Sequence, residues 1–256
     1  MVQIAHWLHS LSRRVGPDTG VGTVIRMTGL TLFASVLSLF VFPIHRSLLD
    51  RFVAPWSADL ASLAGTKGSQ VAVAVVVVGY LATTRRWNVV QIRRPTLHDT
   101  LWMVLGAAGL DLMAEAIQFV LPLAGLSIEV LSGSGGSGSA VGLGTWPLLW
   151  PLVFLGMYLL PALVEEQFVR GIVQGRLGER FHPALEVVLG AALFALMHGL
   201  YGLGGGPEFL ATYLIVLFGQ GLVFCLTYER TRNLLVVALI HALSWTAVDV
   251  PFFGLL

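Results

Sequence analysis

Two carboxylates and a guanidinium, Glu165, Glu166 and Arg170, stand in the stretch LVEEQFVRG at the end of a long apolar run, and imidazoles follow in LFALMHGLYG (His198) and IHALSW (His241). An ionisable group at membrane depth costs about 2.5 kcal/mol or more on insertion scales, so each needs a partner or a polar cavity. On a helix, Glu166 and Arg170 lie four residues apart on one face and can pair. Glu165 is turned about 100° from Glu166. One carboxylate can then act as a clamp while the other keeps a lone pair for water or a metal; the spacing favours Glu166 as the paired one without fixing it. Phe194, one turn before His198, shares its face and walls the imidazole on its apolar side. Carboxylate and imidazole are the groups that take a proton from an attacking water, and a metal or a cation stabilises the charge that follows. The chain has neither HExxH nor GxSxG, so it follows neither the zincin pattern nor the nucleophile elbow.

These residues must be positioned by membrane helices. Of 256 residues, 56% are hydrophobic and 11% charged, which excludes an ordinary soluble domain of this size. The expected fold class is all-α, a polytopic integral membrane protein. Spans of about 20 apolar residues are predicted at 24–44, 69–84, 100–124, 146–174, 184–203, 208–227 and 234–254, seven in all, with an eighth if a re-entrant segment hides one. Arg13, Arg14 and Arg26 precede the first span, Arg85, Arg86, Arg93 and Arg94 follow the second, Arg176 and Arg180 the fourth, and Arg230 and Arg232 the sixth. That alternation makes those segments cytoplasmic, with the N-terminus, in a cell membrane. Segment 45–68 fits less well, since it should lie outside yet carries Arg46, Arg51 and Lys67. Counted inward from the arginine-bearing ends, the glutamates and both histidines are expected at comparable depth in the cytoplasmic half, in a cavity open to the cytoplasm.

Other features bound the reading. A net charge of +1, with no concentrated basic stretch, excludes a nucleic-acid partner; the partners are the lipid bilayer and membrane-associated protein. Cys225, the single cysteine, reads as a small core residue. The N-terminal stretch shows no removable signal peptide. SGSGGSGSAVGLG, 132–144, reads as a flexible tether, and GLGGGPE, 202–208, as a turn between spans. Trp7, Trp56, Trp87, Trp102 and Trp146 read as interfacial anchors.

EEQFVR matches EExxxR, FALMH matches FxxxH, and the stretch from Phe218 through TYERTRNLLVVALIHAL resembles the last motif region of the CPBP family of intramembrane proteases, which includes the type II CAAX prenyl endopeptidases. The three motifs occur in order over roughly 150 to 245. The resemblance divides the chain into 1–145, N-terminal transmembrane helices and the Gly/Ser-rich loop without family signature, and 146–256, a CPBP-like catalytic core. It implies an intramembrane metalloprotease, with Glu165 and His198 activating water, Glu166 and Arg170 supporting the site, and His241 stabilising the oxyanion or helping to hold a metal. It further implies a membrane-associated protein substrate, with prenylated CAAX-type proteins as one class, and leaves two routes open: a divalent metal, zinc first, held by Glu165, His198 and His241, or the Glu165–His198 pair alone. One departure stands out. The family's last motif is HxxxN or HxxxD, and four residues after His241 this chain has Trp245, which offers only an N–H; Ser244 or Asp249 are the candidate replacements.

Two other functions remain. An adaptor or immunity-type scaffold would bind a partner segment in the polar cavity without cleaving it. A proton-coupled transporter would use Asp111 and Glu115, one turn apart on the third span; the favoured reading of that pair is helix–helix hydrogen bonding or a cavity wall.

Overall fold

The computed structural model describes residues 19–132 and 148–246, and among these every regular element is helical. Helix α1, Gly20–Phe52, starts where the Thr19 hydroxyl caps the Gly22 amide at 3.0 Å. It buries Thr23, Met27, Thr31, Ala34, Ser35 and Ser38, a stripe of small and hydroxylic residues at three- and four-residue spacing that lets neighbouring backbones approach closely. The Ser35 hydroxyl donates to the Thr31 carbonyl at 2.9 Å and the Ser38 hydroxyl to Ala34 at 2.8 Å, so neither is left unsatisfied in an apolar setting. Two helices follow, α2 (Ala58–Gly65) and α3 (Gly68–Thr84), bent by 49° at the break that contains Lys67. Gly68 is required there because a Cβ would stand 3.1 Å from the Phe42 backbone.

Helix α4, Leu97–Val120, opens with a capping box between Thr96 and Asp99, which satisfies two terminal donors at once. A short α5, Glu129–Ser132, follows. The run Trp150–Gly178, here α6, is helical throughout but contains two π segments, Phe154–Leu159 and Gln167–Gln174, flanking the α segment Leu160–Glu166. Such π segments are rare and recur at functional sites. Helices α7 (Pro183–Gly202) and α8 (Gly206–Thr231) are joined by a 3₁₀ turn, Leu203–Gly205. Gly206 takes φ +86°, a conformation open mainly to glycine, and the chain folds back there. The two arms then run antiparallel in close contact: a Cβ on Gly221 would stand 3.0 Å from Ala191 Cα, and one on Gly190 the same distance from Cys225 Sγ. Helix α9, Leu234–Ser244, is capped by the Asn233 side chain, which accepts from the Leu235 amide.

Phe168, Val169, Ile172 and Val173 of α6 form the core with Phe194, Phe224, Tyr228, Val237 and Ile240. Large apolar side chains also point outward, among them Phe33 and Phe40 on α1, Val75 and Val78 on α3, Leu112 and Phe119 on α4, and Leu152 and Leu155 on α6. Water would not support that much exposed apolar surface; acyl chains do. The chain is an all-helical integral membrane protein.

The seven expected spans are not all confirmed. By length and apolarity four helical runs among the described residues could cross, or five if the bent pair α2–α3 is one span, and the longest of these runs is folded into two antiparallel arms. Two expected spans, 184–203 and 208–227, are arms of one 49-residue helical run, Pro183–Thr231, folded at its 3₁₀ turn. Of the expected span 234–254, the described part is an 11-residue helix, shorter than a bilayer requires. The Gly/Ser tether falls almost wholly, and Asp249 wholly, outside the described residues.

Candidate active site

The site forms where α6, α7 and α9 meet the first turn of α3. Glu165 and Glu166 end the α segment of α6, and the π segment that follows carries Arg170 into the core. Arg170 Nη1 donates to Glu166 Oε1 at 3.2 Å, and Nε stands 3.0 Å from Oε2. The guanidinium lies against the faces of Phe194 and Phe224, 4.6 and 5.1 Å from their centroids. Charge pairing and the two ring quadrupoles together offset its desolvation.

Helix α9 brings His241 to the same carboxylate, with Nδ1 2.6 Å from Glu166 Oε1. Its ring stacks on Phe224 at 4.9 Å and meets Phe194 edge-on at 6.3 Å. Glu166 is thus shared between a guanidinium and an imidazole, which holds α6 and α9 in register.

Glu165 faces the other way. Its Oε2 accepts from Gln70 Nε2 at 3.0 Å, while Oε1, buried and without a hydrogen-bond partner among the described residues, points at His198 Nε2, 3.4 Å away. His198 Nδ1 lies 3.0 Å from the Phe194 carbonyl, an acceptor only. Nδ1 therefore carries the proton, and Nε2 is turned to Glu165. Phe194 walls the ring at 4.8 Å. His198 keeps some exposure, 19% of its side chain against 2% for Glu165.

All five residues singled out by sequence therefore meet, with Glu166 paired to Arg170 and Glu165 free of that pair. Asp111 and Glu115 do not join them; among the described residues neither side chain makes a hydrogen bond or an ion pair. Ser244 spends its hydroxyl on the His241 carbonyl at 2.8 Å. Gln70 is a site residue that sequence reading missed. A glutamine at the start of an apolar helix carries no motif, and only the 49° bend aims it at α6.

The expected depth also changes. Gln70 stands two residues inside α3 and His198 four residues before the end of α7. The arginine-bearing ends lie at the far ends of both helices, about 20 Å away at 1.5 Å per residue, where Arg86 pairs with Glu179 at 2.8 Å and Arg232 with Glu186 at 3.2 Å. The site lies farther from the arginine-bearing ends than expected, because Gln70 falls in the first turn of α3 and His198 in the last turns of α7.

Glu165, His198 and His241 do not form a ready ligand set. His241 Nδ1 is committed to Glu166, and among the described residues no three His, Cys, Asp or Glu side chains are arranged to hold a metal. Zinc needs three or four protein donors at about 2.0–2.2 Å; only Glu165 and His198 face a common point.

Residues 147–246 match the family described as Type II CAAX prenyl endopeptidase Rce1-like. The match contains Glu165, Glu166, Arg170, His198, His241 and Trp245, and excludes Lys67 and Gln70. No curated protein and no solved structure matches the chain.

Proposed function

We propose that the chain is an intramembrane endopeptidase that hydrolyses a peptide bond of a membrane-associated protein, with prenylated CAAX-type proteins as the substrate class that the Rce1-like segment favours. The observation that carries the reading is Glu165 Oε1, buried and without a hydrogen-bond partner among the described residues, facing His198 Nε2 at 3.4 Å. A water that hydrogen-bonds to both from the side loses a proton to this pair as its oxygen attacks the scissile carbonyl carbon. The carbonyl π electrons move onto oxygen, then return as the carbon–nitrogen bond breaks, and the same proton goes to the leaving nitrogen. Gln70 fixes the Glu165 carboxylate so that Oε1 faces the water. Glu166 and Arg170 anchor His241, whose other nitrogen remains for the substrate. The arginine-bearing ends are placed on the cytoplasmic side of a cell membrane.

The test is cleavage of a farnesylated CAAX reporter peptide by proteoliposomes. His198→Ala should remove cleavage while leaving the thermal unfolding midpoint near that of the parent; a variant that still cleaves at the parent rate sinks the reading. Trp245 in place of the family's amide favours a second reading, an adaptor that binds a partner segment in the same cavity. An adaptor leaves the reporter intact in every variant, the parent included.

A further inference from the structure

The first turn of α3 delivers a second residue to the edge of this site. Lys67 precedes Gln70 by three residues, so the two share a face, and it is the only lysine in the chain. Its ammonium lies 4.1 Å from the centroid of the Trp245 ring and 5.4 Å from that of Tyr158. It is half-buried, lies within electrostatic reach of Glu165, and among the described residues makes no side-chain hydrogen bond or ion pair. Three N–H donors within electrostatic reach of Glu165 are thus held against ring faces and, among the described residues, left unused.

Trp245 occupies the position where the resemblance calls for an amide or carboxylate, and its ring meets His241 at 4.3 Å. The neighbouring Ser244 hydroxyl is already spent. Helix α9 therefore offers the developing oxyanion no side-chain amide, while its indole clamps a cation at that spot. We propose that Lys67 is a catalytic residue that takes the place of this amide: clamped by Trp245 and Tyr158, its ammonium donates hydrogen bonds to the scissile carbonyl oxygen as that oxygen becomes an oxyanion. The inference rests on the peptidase reading. The carbonyl π pair moves onto oxygen and is stabilised by the ammonium, which keeps its proton throughout; the pair returns when the carbon–nitrogen bond breaks, and water is the only co-reactant. A fixed donor in a water-poor site acts most strongly where charge develops, and a compact ammonium suits a single oxygen better than the planar fork of arginine.

The experiment compares the parent, Lys67→Met, Trp245→Asn and the double variant in proteoliposomes with the farnesylated CAAX reporter. Lys67→Met should lower kcat by about 10²–10³-fold, as loss of one oxyanion donor does, with KM nearly unchanged. The double variant should regain at least about tenfold, because the introduced amide can donate where the ammonium did. A Lys67→Met variant at the parent rate overturns the inference and leaves the peptidase reading standing. A loss that appears in KM, or that follows a lowered unfolding midpoint and is not restored by Trp245→Asn, also overturns it by assigning Lys67 a structural part. A parent that cleaves no reporter overturns the peptidase reading itself.

Discussion

At the scale of single residues, Glu165 and Glu166 are neighbours with opposite tasks, separated by what each carboxylate meets. Glu166 is tied to Arg170 and His241, and the guanidinium is fully buried between two phenylalanines. Removing one partner of such a buried pair costs about 3–5 kcal/mol, because a charge is left without compensation. Arg170→Met should therefore lower stability by roughly that amount in detergent unfolding, and Glu166→Gln combined with Arg170→Met should recover part of it. An Arg170→Met variant as stable as the parent would show that the buried pair within α6 adds nothing to stability. Glu165 depends on Gln70 for orientation. Gln70→Ala should reduce kcat about tenfold or more with little change in KM, since a hydrogen bond to a charged group is worth about 1.5–3 kcal/mol. An effect on KM alone would place Gln70 in substrate binding instead.

At the scale of elements, the site is registered by close helix packing, and the closest approach is between α7 and α8. Gly221 has no room for a Cβ beside Ala191, and Phe194 and Phe224, which line the site, belong to these two helices. Gly221→Leu should separate the helices, cost about 1–3 kcal/mol as overpacking does, and depress cleavage through displacement of His198. Gly204→Ala, in the turn where a Cβ meets nothing within 4 Å, is the control and should change neither quantity. Much of this scale was legible in the sequence. Length and apolarity gave the helices, the i,i+4 spacing gave the Glu166–Arg170 pair, and Phe194 gave the wall beside His198. The π segments were not legible, since no residue type signals them. The bend at Thr66–Lys67 fell in a segment read as a loop outside the spans, so α2 and its angle to α3 were not visible, and residues from different helices, such as Gln70 and Glu165, carry no mutual spacing to read.

At the scale of the whole molecule, the part of the chain before the Rce1-like segment is more than a membrane anchor, since Gln70 reaches Glu165 from it. The arginine-bearing ends of α3 and α7 lie away from Gln70 and His198. Cytoplasmic arginines with a site reached from within the bilayer, and the reverse orientation with a site open to the cytoplasm, are the two arrangements to separate. Single cysteines decide between them, because native Cys225 is buried. The positive-inside rule predicts that Trp56→Cys, in the exposed loop after α1, is labelled in intact cells by an impermeant maleimide, and that Arg94→Cys is labelled only after lysis. That result leaves substrate to enter laterally between helices. The reverse pattern contradicts the rule for this chain and opens the site directly to cytoplasmic tails.

The most direct measurement is the rate at which Glu165→Gln cleaves the farnesylated reporter relative to the parent, in proteoliposomes with matched amounts of folded protein. If Glu165 takes the proton from water, the substitution should lower kcat by about 10²–10⁴-fold, the range supplied by a positioned base. A Glu165→Gln protein that turns over at the parent rate would contradict the proposed reaction.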